Sequence, residues 1–256
     1  MNIDRAAREG WAANGWTHVI GALSPAELNA ARRWVDDLER WAAGDGPGMH
    51  HFEQTDRGSA IARSERFADD HSDLGAFVRH GPPAQLVADV LGEPAVLFKE
   101  KVNYKQPGGA GFAPHQDAAA YRFIDHHVSV MVPLDPATIE SGCLWFAPGH
   151  HEGAMADNGR GRLLDEVVDR LEWRPIEVEP GDLVAFDSYA PHRSDTNHSD
   201  HPRRALYLTY NAARLGDFRS RYYADKDAEF AASGPTFGDE RVRISISDDF
   251  LGKPVN

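Results

Sequence analysis

Apolar residues with helical spacing mark the region that follows residue 24. Ser24, Pro25 and Glu27 form a helix start, with a serine cap, a proline at the first helical position and a glutamate at the third. Apolar side chains then recur at Leu28, Ala31, Val35 and Leu38. This pattern predicts a helix that ends near Trp41.

Glycine and proline interrupt the pattern at residues 44–48 and predict a loop through His50 and His51. Residues 83–91 are typical of a second helix, which Gly92 ends. We therefore expect the first 92 residues to be mainly helical. The large aromatic residues of this region are expected to be core residues on helix faces: Trp11, Trp16, Trp34, Trp41 and Phe52.

The pattern changes to short strands after residue 93. Six segments are rich in β-branched or aromatic residues and are bounded by Gly, Pro or Asp: 95–104, 127–134, 142–147, 174–178, 182–187 and 204–210. Residues 161–171 are expected to form a helix between strands, and Arg214 and residues 219–223 to be solvated. Many short strands favour a barrel or jelly roll over a βαβ fold, so the expected class is mainly β with flanking helices.

Composition narrows the function classes. The 256 residues are 41% hydrophobic and 26% charged, as in soluble globular proteins, and a net charge of −13 argues against a nucleic-acid partner. No apolar run reaches 18 residues and the N-terminus lacks a signal-peptide pattern, so we expect a cytoplasmic protein with no membrane partner. The single cysteine, Cys143, leaves histidines and carboxylates as the ligands for any metal.

No repeat or linker divides the chain. We expect a single domain over residues 1–256, with a helical N-terminal support at about 1–92, a core at about 93–213 and a C-terminal extension at 214–256. The sequence does not indicate an oligomeric state.

His115 and Asp117 follow a glycine-rich stretch at the end of a predicted strand. Two residues apart on an extended chain, they point to the same side, so an imidazole and a carboxylate can bind one ion. The turn at residues 180–182 leads into a strand and then to His192, a third ligand. Two histidines and one carboxylate leave three positions of an iron open for a bidentate co-substrate and dioxygen.

Arg203 strengthens this interpretation, because a His-x-Asp pair arises by chance in a chain with 13 histidines. A keto acid that chelates the metal needs a partner for its distal carboxylate, and a guanidinium is the best bidentate one. Arg203 lies eleven residues after His192. The other candidate ligands are better explained as surface or hydrogen-bonded histidines: His126, His127, His150, His151, His198 and His201.

From about residue 98 to 213 the chain resembles the phytanoyl-CoA dioxygenase family. The resemblance rests on His115-x-Asp117, the segment 142–151, the turn at 180–182, His192 and Arg203. It implies a double-stranded β-helix (a jelly-roll, cupin-like core) with helices on one side, and an enzyme that uses Fe(II), 2-oxoglutarate and dioxygen. His150 replaces a family serine in a strand-exit loop, which leaves the ligands unaffected, and the retained Asp117 argues against a halogenating relative.

The resemblance also implies secondary roles. Residues expected to bind 2-oxoglutarate are Arg203, Lys101, Ser129 and Ser194. Residues expected to contact the substrate are Lys99, Asn103 and Tyr121. Which of Lys99 and Lys101 contacts 2-oxoglutarate stays open, and Lys105 lies beyond them on the same strand.

Three hypotheses follow for the function. The leading one is a hydroxylase that attacks an unactivated C–H bond of a small polar metabolite. Segment 98–104 is similar to that of family hydroxylases of 2-aminoethylphosphonate, while an amino acid or a natural-product scaffold is comparably plausible. The alternatives are a non-catalytic cupin-like metal-binding protein, which has no need of Arg203, and a hydrolase with Asp187 or Glu140 as its base.

Overall fold

The computed structural model describes residues 3–121, 123–237 and 240–255. The helices are α1 (Arg5–Asn14), α2 (Pro25–Ala42), α3 (Ser72–His80), α4 (Pro82–Leu91), α5 (Asp165–Val168) and α6 (Arg219–Ser233). The first strands are β1 (Trp16–Val19), β2 (Met49–Thr55), β3 (Gly58–Glu65), β4 (Ala95–Lys105), β5 (Phe112–His115), β6 (Val128–Pro133) and β7 (Leu144–Phe146). The remaining ones are β8 (Arg174–Ile176), β9 (Leu183–Asp187), β10 (His192–Ser194), β11 (Arg203–Ala212), β12 (Thr236–Phe237) and β13 (Arg241–Val242).

Two antiparallel sheets face each other. The larger one has the order β1-β9-β6-β11-β4-β3-β2, and the smaller one the order β5-β10-β7-β8. Alternate residues of β11 belong to two hydrophobic cores. Tyr207 lies in the core that includes Phe146 of the small sheet, whereas Leu206 and Leu208 lie in the core that includes the helices. Because both faces of this sheet are covered, its strands β6 and β9 are largely apolar rather than alternating.

Helices α2, α3 and α4 cover the outer face of the large sheet, where Val35, Val78 and Val87 are fully buried. The predicted start of α2 is confirmed, since the Glu27 backbone N–H donates to Ser24 Oγ (3.3 Å) and the Ser24 N–H donates to the Glu27 side chain (2.8 Å). No helix in the described parts of the chain is long and apolar enough to cross a membrane.

The predicted loop through His50 and His51 is wrong, because these residues lie in β2, which pairs with β3 at the edge of the large sheet. Trp16 and Phe52 lie on β1 and β2 rather than on helices. Strands β2 and β1 form the two edges of the large sheet, and β2 is partly exposed, so neither has a clear hydrophobic pattern. The helix expected at 161–171 is only the four residues of α5.

The C-terminal region is buried where solvation was expected. Arg219 is 7% exposed and pairs through Nη2 with the buried Glu100 (2.6 Å), and Tyr222 and Tyr223 are each 2% exposed. The expectation is therefore wrong for Arg219, Tyr222 and Tyr223, because a carboxylate inside the sheet needs a cation from elsewhere, whereas Ser220 and Arg221 are exposed. Arg214 is exposed and pairs with Glu93 (3.0 Å).

Residues 240–251 form a return segment that runs back along β5. The Ala113 N–H donates to the Asp249 carbonyl (2.7 Å), and the Leu251 N–H donates to the Gly111 carbonyl (3.1 Å). The buried Arg63 holds the same segment through the Ile244 carbonyl (2.9 Å). The division into support, core and extension stays a prediction, but the return segment brings residues from the extension to the small sheet.

Strand β4 lines the inner face of the large sheet with polar residues. Lys99, Asn103 and Lys105 are 3–5% exposed, and Lys101 lies between them with the same alternation. Glu100 is fully buried and is bound by Arg219, a residue of α6. The inner face of β4 therefore places basic side chains in the protein interior.

Candidate metal centre

Three potential ligands meet where β5 and β10 pair. His115 ends β5 and His192 begins β10, and the two are direct partners across the strands. Asp117 begins a 3₁₀ turn, two residues after His115. One ligand atom from each lies within 4.8 Å of the others, and the three residues are 5–8% exposed. The structure thus brings together the three residues predicted as metal ligands.

Backbone carbonyls orient both imidazoles. His115 Nδ1 lies 2.7 Å from the Ala113 carbonyl and His192 Nδ1 lies 2.9 Å from the Ala190 carbonyl. A carbonyl only accepts, so each Nδ1 carries the hydrogen and each Nε2 keeps its lone pair for a metal. Ser129 Oγ donates to Asp117 Oδ2 (2.9 Å), which orients the carboxylate.

The charges around the ligands favour their metal-binding forms. Burial alone would raise the pKa of Asp117, but His192, Lys101 and Lys99 outweigh it and hold that pKa below its ordinary value. Burial, with neighbouring His115, lowers the pKa of His192 to about 4. Both groups are deprotonated at neutral pH, as metal ligands must be. Two imidazoles and one carboxylate suit Fe(II).

Arg203 is buried and has no carboxylate partner among the described residues. It is 1% exposed, its Nη1 donates to Tyr207 Oη (3.3 Å), and its Nε has no hydrogen-bond partner among the described residues. Lys105, its partner across the strands, donates to Ser194 Oγ (2.8 Å) and to the Gly142 carbonyl (3.1 Å). Burial and nearby Arg203 lower the pKa of Lys105 well below its usual value. Two buried basic groups with no carboxylate within 4.0 Å among the described residues are expected at an anion site.

A narrow cavity joins the metal ligands to residues near this cationic pair. Besides His115, Asp117 and His192, its lining includes Lys101, Asn103, Phe112, Ser129, Leu144, Phe186, Arg193, Ser194 and Tyr207. Four of the predicted secondary residues therefore face the metal centre. Their contacts with 2-oxoglutarate or substrate stay predictions.

The two candidate lysines point in different directions. Lys101 Nζ lies 5.5 Å from the ring centre of Tyr207, the residue that binds Arg203. Lys99 Nζ lies 4.4 Å from the ring centre of Tyr121 and 5.4 Å from that of Tyr222. Burial lowers the pKa of both lysines. This arrangement supports Lys101 as the residue on the 2-oxoglutarate side and Lys99, with Tyr121, on the substrate side.

Other predicted residues already have protein partners. Asn103 accepts a hydrogen bond from Arg63 Nε (3.0 Å), and Ser194 accepts one from Lys105. Asp187, a candidate base of the hydrolase hypothesis, lies 2.5 Å from His126 Nε2, and Glu140 is exposed. Neither acid touches the metal ligands, which removes the support for a hydrolase.

One buried residue at the site, Asp249, was not found from the sequence, and the expectation that His127 is a surface or hydrogen-bonded histidine is wrong. Asp249 Oδ2, on the return segment, lies 3.1 Å from His115 Nε2. His127 is 1% exposed, packs against Phe98 and Tyr121, and has no hydrogen-bond partner for either ring nitrogen within the described residues. Neither belongs to a local motif, and the only sequence signal for Asp249 is a Ser-Asp-Asp run far from the other ligands.

Comparison with known proteins supports these observations. The chain matches the phytanoyl-CoA dioxygenase family over residues 11–205. A methylphosphonate hydroxylase of Gimesia maris is 43% identical over 246 residues, which cover 96% of this chain and 94% of that protein. A 2-aminoethylphosphonate dioxygenase of an uncultured bacterium is 40% identical over 250 residues, which cover 96% and 95%.

Solved structures match the fold. The structure of EctD from S. alaskensis with 2-oxoglutarate and 5-hydroxyectoine aligns with a TM-score of 0.72 at 19% identity, over 83% of this chain and 77% of that one. The predicted jelly-roll core is thereby confirmed.

Proposed function

The chain belongs to the phytanoyl-CoA dioxygenase family, and on that premise we propose that it hydroxylates a small organophosphonate with Fe(II), 2-oxoglutarate and dioxygen. The observation that supports 2-oxoglutarate as co-substrate is the buried Arg203, which has no carboxylate partner in the described chain. Arg203 lies near the cavity that His115, Asp117 and His192 line. Both relatives described above carry names that refer to phosphonates. A non-catalytic metal-binding protein has no use for such an anion site.

His115, Asp117 and His192 would hold the iron, and three protein ligands would leave coordination positions for 2-oxoglutarate and dioxygen. Bound Fe(II) supplies the coupled oxidation of 2-oxoglutarate and of a substrate C–H bond by dioxygen. The protein fixes its ligands through the carbonyls of Ala113 and Ala190, so little reorganisation is needed when the metal binds.

The protein positions 2-oxoglutarate through charge and exclusion of water. Arg203 can offer Nε and a second guanidinium nitrogen to the distal carboxylate, since Nε has no partner in the described chain. Lys105 adds a second positive charge, because an arriving anion raises the depressed pKa of its amine. Buried aromatic residues near His192, such as Phe146 and Phe186, keep this end of the cavity dry.

The substrate side carries cations that suit a phosphonate. Lys99 has no carboxylate within 4.0 Å of its amine among the described residues, and the guanidinium of Arg63 binds only Asn103 and a backbone carbonyl there. A phosphonate carries up to two negative charges, whereas an amino acid offers one carboxylate. The surplus of basic groups therefore favours the phosphonate over the amino acid as substrate.

Coupled turnover tests this proposal. The protein is incubated with Fe(II), 2-oxoglutarate and either methylphosphonate or 2-aminoethylphosphonate, and succinate is measured beside the ³¹P NMR signal of the hydroxylated product. We expect phosphonate-dependent succinate in equal amount to product, its loss in His192→Ala, and normal activity in His198→Ala, which changes an exposed histidine. The proposal is wrong if neither phosphonate stimulates succinate formation.

A further inference from the structure

Asp249 enters the metal centre from the return segment. Backbone hydrogen bonds from Ala113 and to Gly111 fix the segment beside β5, and the ring of Phe250 packs against that of Phe112 at 5.0 Å. The Asp249 side chain is buried, with Oδ2 at 3.1 Å from His115 Nε2. The fold thus holds a second carboxylate against the metal site.

The described residues satisfy this carboxylate only in part. His115 Nδ1 is occupied by the Ala113 carbonyl, and its Nε2 is the nitrogen left for a metal. Asp249 Oδ1 has no hydrogen-bond partner among the residues that the structure describes. A buried carboxylate oxygen without a donor is unfavourable, so this geometry suits a cationic ligand that arrives later.

The iron itself is a poor candidate for that cation. His115, Asp117 and His192 leave three positions, of which 2-oxoglutarate takes two and dioxygen one. A fourth protein ligand would occupy one of them and block the reaction. Asp249 therefore acts outside the coordination sphere, where the remaining ligand of the site is the substrate.

Opposite charges lie near each other in this part of the site. Lys99 projects from β4 toward Tyr121 and Tyr222, and it is close enough to Asp249 of the return segment for an electrostatic interaction. No ion pair of 4.0 Å or less joins Asp249 to a lysine in the described chain, so both groups remain available to a ligand. One anionic and one cationic group suit a zwitterion better than a simple anion.

Building on the proposed phosphonate hydroxylation, we propose that Asp249 determines specificity by pairing with the ammonium group of an aminophosphonate. Lys99 neutralises the phosphonate at the other end of the same molecule. A phosphonate without an amine would leave Asp249 unpaired and close to a second anion. The substrate class is therefore the zwitterionic aminoalkylphosphonates, for which 2-aminoethylphosphonate is the probe.

The test compares two substrates in Asp249→Asn, which keeps the shape of the side chain and removes its charge. We expect kcat/KM for 2-aminoethylphosphonate to fall about 10- to 100-fold, mainly through KM, as for the loss of a charge-assisted hydrogen bond. We expect kcat/KM for methylphosphonate to be unchanged or higher. The matched control is Asp248→Asn, whose carboxylate faces Arg241 (2.6 Å) and which should keep the ratio of the unmodified protein.

Two measurements without turnover separate the possible failures. One is the visible absorption band of the anaerobic Fe(II)–2-oxoglutarate complex, which Asp249→Asn should retain; its loss would mean that Asp249 is a metal ligand. The other is calorimetric binding of 2-aminoethylphosphonate to the zinc-loaded protein, which Asp249→Asn should weaken.

An equal loss for both substrates, or no change for either, overturns the role of Asp249 while the proposed function stands. If no phosphonate supports turnover, the proposed function fails. The inference is then refuted as well if 2-aminoethylphosphonate does not bind to the unmodified zinc-loaded protein, or binds to Asp249→Asn as tightly as to the unmodified protein.

Discussion

Replacing Arg203 by methionine tests the anion site directly. Methionine keeps an unbranched side chain in the buried space and removes the guanidinium. Two neighbouring arginines begin β11 and face opposite sides of the sheet, so Arg204→Met is a matched control. Arg204 pairs with Asp135 (2.9 Å) and Asp36 (2.8 Å) on the helix side, far from the metal ligands.

The size of the effect follows from the contacts. Hydrogen bonds to charged groups contribute about 1.5–3 kcal/mol each, and a bidentate guanidinium offers two of them. Lys105 offsets part of the loss, because Arg203 is one of the causes that depress the pKa of its amine and the substitution relieves that repulsion. We therefore expect a net cost of about 2–3 kcal/mol, which is an increase in the KM for 2-oxoglutarate of about 30- to 150-fold.

The assay measures succinate at varied 2-oxoglutarate and, separately, anaerobic titration of the Fe(II)-loaded protein with 2-oxoglutarate. Arg204→Met should lower the melting temperature and change the KM for 2-oxoglutarate less than about twofold, since its ion pairs are partly exposed. An increase below about threefold in Arg203→Met, or the same increase in both variants, would refute the assignment of the distal carboxylate to Arg203.

Three further predictions concern the metal and pH. Ser129→Ala removes the hydrogen bond to Asp117, and metal titration should show about 10- to 100-fold weaker Fe(II) binding; unchanged affinity would contradict the orienting role. Zn²⁺ at about 100 times its Kd should raise the free energy of unfolding by about 2.7 kcal/mol, and a similar gain in His192→Ala would contradict the ligand assignment. Burial and nearby Lys99 lower the pKa of His127 to about 3. Between about pH 3 and pH 6.5, this histidine is therefore protonated in the unfolded chain but not in the folded protein. The stability of the metal-free protein should fall from about pH 6.5 toward pH 3 by up to about 1.4 kcal/mol per pH unit for this histidine. Denaturant titrations of His127→Phe should show a shallower slope, and an unchanged slope would contradict the assignment.

The sequence predicted those helices and strands that are determined by interactions between neighbouring residues. The start of α2 follows from Ser24 and Glu27, which satisfy each other's backbone groups. Strands β4 and β11 follow from β-branched and aromatic runs between breakers, and their observed bounds differ from the predicted ones by two residues or fewer. The metal triad could be predicted because His115 and Asp117 share one local motif.

Residues whose role depends on distant partners could not be predicted in this way. The polar strand β2 and helix α6 are stabilised by neighbours that the sequence does not place, such as Glu100 for Arg219. Asp249 belongs to the same class, since only the pairing of the return segment with β5 brings it to His115. From the sequence alone, buried polar residues in such positions cannot be distinguished from solvent-exposed ones.

Strand β4 contributes lysine side chains along the whole length of the proposed active site. Lys99, Lys101 and Lys105 lie on one face of it, next to the proposed substrate, the metal centre and Arg203 respectively. Alternate residues of a strand are roughly 6.8 Å apart, so Lys99 and Lys105 are separated by roughly 20 Å. Point changes near Lys99 can thus alter substrate range in evolution while the 2-oxoglutarate end is preserved. An insertion of one residue within β4 would instead reverse the faces of every residue beyond it and disable both ends together.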